Sequence, residues 1–500
     1  MDGSADTVRV MNDDDPAIAI LLIAAVLLDR LVSPRPPITR GLAGRSVAGT
    51  WLLACMVLAM QGLFLALCGS GLVAACLVLA VQAVLVVASN AKRAVLGEPL
   101  LFPDFAMIRS IVNHPEFYWS AVPVWQRIAA ALAACALLAT LAHLFVSDPA
   151  THAAGLVLCG ASLGLLWLTL RTAQFRALAP TPDAAADVDR HGLAPTLLLY
   201  WLRWRRMPDP LPCADPARLP PALPAPEVIV IIQCESFADP VELFADPQLA
   251  LPALAQARAE AWQWGQLQVS GFGAYTMRAE YGVLWGREED ALGFRHFDPF
   301  LTAIGERSYA LPRRLPGWRS LFLHPHDLRF YGRDRIMPAG GFDALLGEDA
   351  FAPPAAGEGR YVTDAAMADT ILAEAQAATG PTMLYAVTIE NHGPWAPDRT
   401  GPTPDLRQSY LRLVRHGDAM LAQLRAGLAA LGKPALLVFF GDHRPSIPGV
   451  TRPGGDRHTP YVMLRIDAAG QNLRGTNRRA DLTPAALHHA VLAEVLGSPA

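Results

Sequence analysis

Three short polar triplets stand out in this chain. Cys234-Glu235-Ser236, Glu390-Asn391-His392 and Gly441-Asp442-His443 each close a run of apolar residues. Carboxylate and imidazole together are the donor set of Zn²⁺ and Mn²⁺ sites, so Glu235, Asp442 and His443 are candidate ligands for a divalent metal. A fourth candidate is Thr276 in GFGAYTMRAEYGVLWG (271–286), where a glycine turn hands the chain to an apolar helical pattern. A threonine hydroxyl is a poor nucleophile at neutral pH, and metal coordination is one way to activate it. A helix N-terminus adds N–H groups and a positive dipole end that suit a phosphate. Together these residues fit attack of a threonine alkoxide on a phosphodiester.

Singly, each has a plainer reading. Threonine is a favoured N-cap. The capping-box partner of Thr276 would stand at 279, but that residue is Ala279 and Glu280 falls one position late. Glu235 alone fits a solvated strand-end residue, and an Asp-His pair after a strand is common. His392 alone fits a hydrogen-bonded structural histidine. Only their joint occurrence carries weight.

The elements that must position these groups can be read from the pattern. VIVIIQCES is a continuous β-branched run, as in a strand buried on both faces. MLYAVTIEN, ALLVFFGDH and TPYVMLRID read the same way, with helical patterns at 362–378 and 411–431. Buried strands alternating with helices predict an α/β sandwich with a mostly parallel sheet over 227–500, whose sites collect at the carboxyl ends of its strands.

Upstream the chain changes character. It is 52% hydrophobic and only 17% charged, with a mean hydropathy of +0.27, whereas soluble domains carry about a quarter charged residues. No Asp, Glu, Lys or Arg occurs from 46 to 91, enough for two membrane crossings folded at Cys68-Gly69-Ser70-Gly71. Further apolar runs at 128–147, 149–170 and 16–33 bring the expectation to five transmembrane helices within 1–172. The run at 16–33 reads as a membrane span and not as a signal peptide, since Asp13 to Asp15 precede it and the positive leader expected of a signal is lacking. Residues 90–108 read as a polar connection lying on the membrane surface. Residues 173–226 read as a connector, with eight prolines from Pro208 to Pro226. Within it LLLYWLRWRRM (197–207) has the make-up of an interfacial helix; a linker helix packed on the soluble domain is the other reading. A net charge of −4 gives no nucleic-acid footprint. Five of the seven cysteines lie in the apolar runs, so no disulfide framework is expected.

In order along the chain, QCESF, GAYTMRAE, FYGRD with a following GFD, IENHGPW, FFGDH and HTPYVML make the sequence similar to the lipoteichoic acid synthase and phosphoglycerol transferase family, within the alkaline phosphatase/sulfatase superfamily. The resemblance covers 228–465, and GEPLLFPDF resembles proteobacterial members. It implies one metal, Mn²⁺ with Zn²⁺ and Mg²⁺ as alternatives, held by Glu235, Thr276, Asp442 and His443. It further implies that Thr276 is the nucleophile, forming a glycerophospho-threonine intermediate. It places His324, Tyr331, Arg333 and His392 on the substrate, and His458 where two-metal members bind a second ion. Arg333 then forks onto phosphate, against the plainer reading of a salt bridge to Asp334 or Asp327. Tyr331 stands where the family has tryptophan, and Arg444-Pro445-Ser446 departs from the family after the Asp-His pair.

The implied partners are a phosphatidylglycerol-type lipid donor, an envelope glycan or polymer acceptor, and the membrane. The implied place is a bacterial inner membrane with the catalytic domain on the periplasmic side. The charges alone point the other way: Arg35, Arg40, Arg45, Lys92 and Arg93 mark cytoplasmic loops, which puts the domain inside. A sulfatase needs Cys or Ser in a C/S-x-P-x-R context, which YTMRAE lacks. A phosphoethanolamine transferase shares anchor, metal and threonine, but is normally disulfide-stapled and resembles SDHGE where this chain has GDHRP. A metal-free pseudoenzyme serving membrane assembly is the alternative of another class.

Overall fold

The structure is a computed structural model describing residues 5–35, 44–106, 124–215, 217–221, 223–355, 357–359, 361–395 and 405–498. Arg40 and residues 107–108 of the expected surface connection lie outside the described residues. The chain forms two compact units, Met1–Ala94 with Glu98–Met207, and Val95–Gly97 with Pro208–Ala500.

In the first unit the apolar runs are helical. Val47–Cys68, Gly71–Leu96 and Pro149–Arg171 are long and apolar enough to cross a membrane, and the first two meet at the expected turn. The two other expected spans fall in helices Ala5–Asp29 and Val124–His143. Their apolar stretches are shorter, Ala17–Asp29 and Arg127–His143, so among the described residues three helices rather than five meet the length. In the first of these, Asp13 to Asp15 cut the apolar run short.

Two cations of this unit are paired in place. Arg45 is buried, with Nε bonded to Asp29 Oδ2 at 2.9 Å and Nη2 to the Asp29 carbonyl at 2.8 Å. Lys92 pairs with Asp104 at 2.5 Å. The amphipathic helix Leu193–Arg206 packs within this unit, placing Leu199 against Leu52, Cys55 and Leu166. Trp201, Arg205 and Arg206 remain exposed along it.

The second unit is built on one sheet: β1 (Val228–Cys234), β2 (Gln263–Leu267), β3 (Arg319–Leu323), β4 (Ala344–Leu346), β5 (Thr382–Val387), β6 (Ala435–Gly441), β7 (Thr459–Ile466) and β8 (Arg478–Arg479). Their spatial order is β4-β3-β5-β1-β6-β7-β2-β8. Only β7 runs against its neighbours. The α/β sandwich with a mostly parallel sheet is therefore what forms. The β-branched run of β1 has the reason given by its pattern: Val228, Val230 and Ile232 enter one core while Ile229 and Ile231 enter the other. Helices Pro252–Glu260, Asp364–Ala377 and Leu406–Ala430 contribute to the first core, Thr276–Trp285 and Pro484–Leu496 to the second.

Register positions the polar triplets. Cys234 pairs with Gly441 across β1 and β6, so Glu235 and Asp442 leave adjacent parallel strands at the same level. β5 flanks β1 on the other side, delivering Glu390, Asn391 and His392 to the same edge. Gly441 is where this edge is tightest: a Cβ there would sit 1.9 Å from the Phe237 carbonyl oxygen. Gly441→Ala is expected to cost about 1–3 kcal/mol through overpacking, read as a lower unfolding midpoint of the detergent-solubilised chain.

Candidate active site

Glu235 continues β1 into a tight turn. Ser236 takes φ +52, a left-handed conformation that costs a non-glycine residue about 1–2 kcal/mol. Its hydrogen bonds hold it there. The Ser236 N–H donates to Asp442 Oδ1 at 2.8 Å and its hydroxyl to Glu235 Oε1 at 2.8 Å. Its carbonyl accepts from the Tyr410 hydroxyl at 3.2 Å and Asn391 Nδ2 at 3.4 Å. One strained residue thus orients two carboxylates from different strands.

Thr276 is brought in by the glycine turn. Gly273 has φ +66 and its N–H donates to the Arg444 carbonyl at 2.8 Å. A Cβ on Gly273 would meet the Ser446 side chain at 2.2 Å, so glycine is required by both conformation and space. Tyr275, also left-handed at φ +74, is the N-cap of helix Thr276–Trp285 and makes no side-chain cap bond. Thr276 is therefore the first helical residue and not the cap, and its hydroxyl faces the triplets instead.

These groups converge on His443 Nε2, which lies 3.4 Å from Thr276 Oγ1, 3.5 Å from Glu235 Oε1 and 3.4 Å from Asp442 Oδ2. A tetrahedral ion with ligands at about 2.1 Å spaces them about 3.4 Å apart. All four residues are buried, and Asp442 Oδ2 accepts no hydrogen bond from the described residues. The donor set, its spacing and the orphaned oxygen fit a divalent cation. Burial first, then the adjacent Glu235 carboxylate, pushes the Asp442 carboxyl up to about 6.

His458 is not part of this cluster. Its Nε2 lies 2.8 Å from both Glu242 Oε2 and Arg444 Nη2. A second divalent ion on His458 would have to share that nitrogen with a guanidinium, which like-charge repulsion opposes.

The substrate side differs from expectation in one important respect. Arg333 pairs with neither Asp334 nor Asp327. Its Nε and Nη2 fork onto Glu280, at 3.0 and 2.5 Å, and both side chains are buried. Its Nη1 meets His324 Nε2 at 3.2 Å. The edge of the guanidinium expected to fork onto phosphate is thus taken by Glu280, four residues after Thr276 on the same helix face. Burial works against the Arg333 charge, but the Glu280 carboxylate outweighs it and holds the pKa above the ordinary value. His324 Nδ1 lies 2.9 Å from the Val387 carbonyl and so carries the proton, leaving Nε2 to accept from Arg333. Burial, then the Arg333 charge, keeps His324 neutral well below its usual range. Its two nitrogens are spent on orientation. Tyr331, at φ +58, places its ring 5.2 Å from Arg333 Cζ. His392 is exposed, with Nδ1 2.7 Å from the Gly393 carbonyl.

Two residues carry roles that the motifs did not announce. In the sequence Glu280 stands out only as the glutamate one position late for a capping box. Glu390, the first residue of its triplet, is a clamp: Oε2 accepts from Asp364 N and Oε1 meets His416 Nδ1, both at 2.7 Å. No sequence signal pointed to His416.

Three outcomes are expected. Metal affinity of the purified protein should fall as pH drops through about 6, because the proton on Asp442 must leave before the ligand can bind; titration with Mn²⁺ at pH 5 and 7 checks this. Without metal the sign reverses for stability. The folded pKa exceeds the unfolded one, so the chelated protein should lose stability as pH rises through about 6. Glu280→Gln leaves Arg333 buried without its counter-ion and should cost about 3–5 kcal/mol, measured by thermal unfolding.

Comparison with known proteins adds the family. The Sulfatase family model matches residues 227–492. Among curated proteins, the chain is 34% identical over 261 residues to the capsular polysaccharide biosynthesis protein RkpI of Rhizobium meliloti (strain 1021), covering 51% of this chain and 48% of the relative. It is 28% identical over 236 residues to a putative cyclic beta-1,2-glucan modification protein of the same organism, covering 44% and 36%. The chain thus spans about half the length, or less, of the curated relatives it matches. Among solved structures, the lipooligosaccharide phosphoethanolamine transferase A (EptA) of Neisseria meningitidis shares the fold at 12% identity, with a TM-score of 0.51 over 91% of this chain and 96% of that one. The family match and the membrane-anchored fold agree with the superfamily to which the motifs pointed. This chain belongs to the Sulfatase family.

Proposed function

We propose that this protein is a metal-dependent membrane phosphoglycerol transferase. The observation that carries the reading is the approach of Thr276 Oγ1, Glu235 Oε1 and Asp442 Oδ2 to His443 Nε2, at 3.4–3.5 Å. A divalent metal held there by Glu235, Thr276, Asp442 and His443, with Mn²⁺ the first candidate, would lower the pKa of the threonine hydroxyl and neutralise phosphate charge.

Thr276 Oγ1 attacks the phosphorus of a phosphatidylglycerol-type donor. The Thr276–phosphorus bond forms as the threonine hydroxyl gives up its proton. The bond from phosphorus to the diacylglycerol oxygen breaks, and that oxygen takes up a proton, so one proton is released and one consumed. His392, exposed at the mouth of the β5 edge, is the proposed proton carrier for the leaving and then the entering hydroxyl. Arg333, held by Glu280, supplies positive charge beside the nucleophile, and Tyr331 lines the donor glycerol. An acceptor hydroxyl then displaces Thr276 and completes the transfer.

The curated relatives, named for capsular polysaccharide biosynthesis and glucan modification, support a glycan as acceptor. The whole-chain likeness in fold to a membrane phosphotransferase supports an inner-membrane anchor. A periplasmic catalytic domain follows from the donor and acceptor proposed. All seven cysteines are free, which favours phosphoglycerol over phosphoethanolamine transfer. The wild-type chain given labelled phosphatidylglycerol and glucan should release diacylglycerol and label the glycan. Thr276→Ala should lose both by at least about a thousandfold; undiminished product from that variant would sink the assignment.

A further inference from the structure

A separate cavity of about 290 Å³ opens on the far side of the helix that carries Thr276. Its wall includes Arg278, Tyr281 and Gly282. At 100° per residue these lie on the face opposite Thr276 and Glu280, so about one helix diameter, roughly 10 Å, separates cavity and nucleophile. Its volume is that of a small ligand site.

The lining restricts what can enter. Leu292, Pro299 and Pro484 supply apolar surface, while Gln268 and Asp290 stand exposed at the rim. An anion is disfavoured: Glu288, Glu289 and Asp290 outnumber the two arginines of the lining, Arg278 and Arg287. The Arg287 guanidinium lies over the Tyr309 ring at 5.2 Å, and His296 Nδ1 is held 2.6 Å from the Gly293 carbonyl. The Arg278 guanidinium is already directed elsewhere: Nε donates to the Phe297 carbonyl at 3.1 Å, and Cζ lies 3.9 Å from the Tyr275 ring centre. A divalent cation is disfavoured as well. Glu288 accepts from the Thr483 hydroxyl at 2.7 Å and Glu289 from the Ser270 hydroxyl at 2.5 Å. The three-ligand metal cluster among the described residues lies at Glu235, Asp442 and His443. What remains is a neutral molecule presenting C–H faces to proline and leucine and hydroxyls to amide and carboxylate.

We infer that this cavity is a secondary binding site for a neutral saccharide, an exosite that holds one part of a glycan acceptor while another part reaches Thr276. The inference rests on the proposed transfer to a glycan, and it adds the chemistry of recognition: uncharged sugar units bound away from the reacting hydroxyl. Such a site raises the effective concentration of a long acceptor at the nucleophile without taking part in the chemistry. Short acceptors gain nothing from it.

The test is calorimetric titration of the detergent-solubilised, Mn²⁺-loaded full chain with a β-1,2-linked glucohexaose. Saturable binding is expected for wild type and for Thr276→Ala alike, since the nucleophile is not in the cavity. Gln268→Ala/Asp290→Ala should weaken binding at least tenfold with metal content unchanged, and Asp290→Asn should retain it. Inorganic phosphate should not compete. No binding by wild type, equal binding by the double variant, or competition by phosphate would overturn the inference. A failure of lipid turnover shows in the diacylglycerol assay instead and leaves this binding readout where it is.

Discussion

Two carboxylates from neighbouring strands share one buried pocket, and much of the surrounding structure exists to keep them there. Burial first, and then repulsion from the Glu235 carboxylate, holds the Asp442 carboxyl near 6 and not in the ordinary range. Left alone, such a pair would protonate or splay. It is held by a parallel register that ends β1 and β6 together, by the N–H and hydroxyl of a left-handed Ser236, and by the imidazole of His443 at 3.4–3.5 Å. A cation relieves the repulsion most completely. The pocket therefore stores a preference for metal in its own unfavourable electrostatics.

The proposed nucleophile is positioned by a different logic. Thr276 opens a helix whose entire length is buried, and Glu280, one turn on, grips Arg333 from another element. Arg333 in turn engages His324, which is tied to the end of β5 through Val387. Helix, β3 edge and β5 edge are thereby locked by one chain of hydrogen bonds. A charge buried this deeply is costly on its own, so Glu280 serves first to let Arg333 exist there as a cation. The positive field it gives to the site is that of a compensated pair, shorter in range than a lone guanidinium's.

Strands carrying a continuous apolar pattern were legible in sequence because burial on both faces leaves no alternation to disguise them. β1, β5, β6 and β7 were all of this kind. β2, β3, β4 and β8 were not: QWGQL alternates buried and half-buried residues, β8 is only Arg478 and Arg479, and β4 is three half-buried residues. The candidate ligands were legible because they follow such strands directly. Side-chain pairing was not. Arg333 had two acids within a few residues, yet its partner lies 53 positions away, and only the fold decides between them. The same applies to Arg45, which reads as a loop charge and is buried on Asp29. For Thr276 the sequence offered cap or nucleophile as alternatives, and the left-handed Tyr275 before it takes the cap position.

Behind the metal-ligand cluster a second acidic layer bears on how much charge the site presents. Asp364 is fully buried and neither of its carboxyl oxygens accepts a hydrogen bond from the described residues. Burial, then Glu390 and Glu235, raises its pKa well above the usual carboxylate range, which favours its protonated form. Glu390 is satisfied by a different route, accepting from the Asp364 backbone N–H and pairing with the half-exposed His416, whose pKa that contact raises. The two acids thus solve one desolvation problem differently, one by keeping its proton and one by acquiring a partner. Glu235 and Asp442 are the two carboxylates of this edge that stand in the candidate ligand cluster with His443, two formal charges against the two of a divalent cation. A phosphodiester approaching the loaded site would meet a nearly neutral pocket with the compensated Arg333 beside it. That balance suits an anionic lipid headgroup better than an open cluster of four carboxylates would.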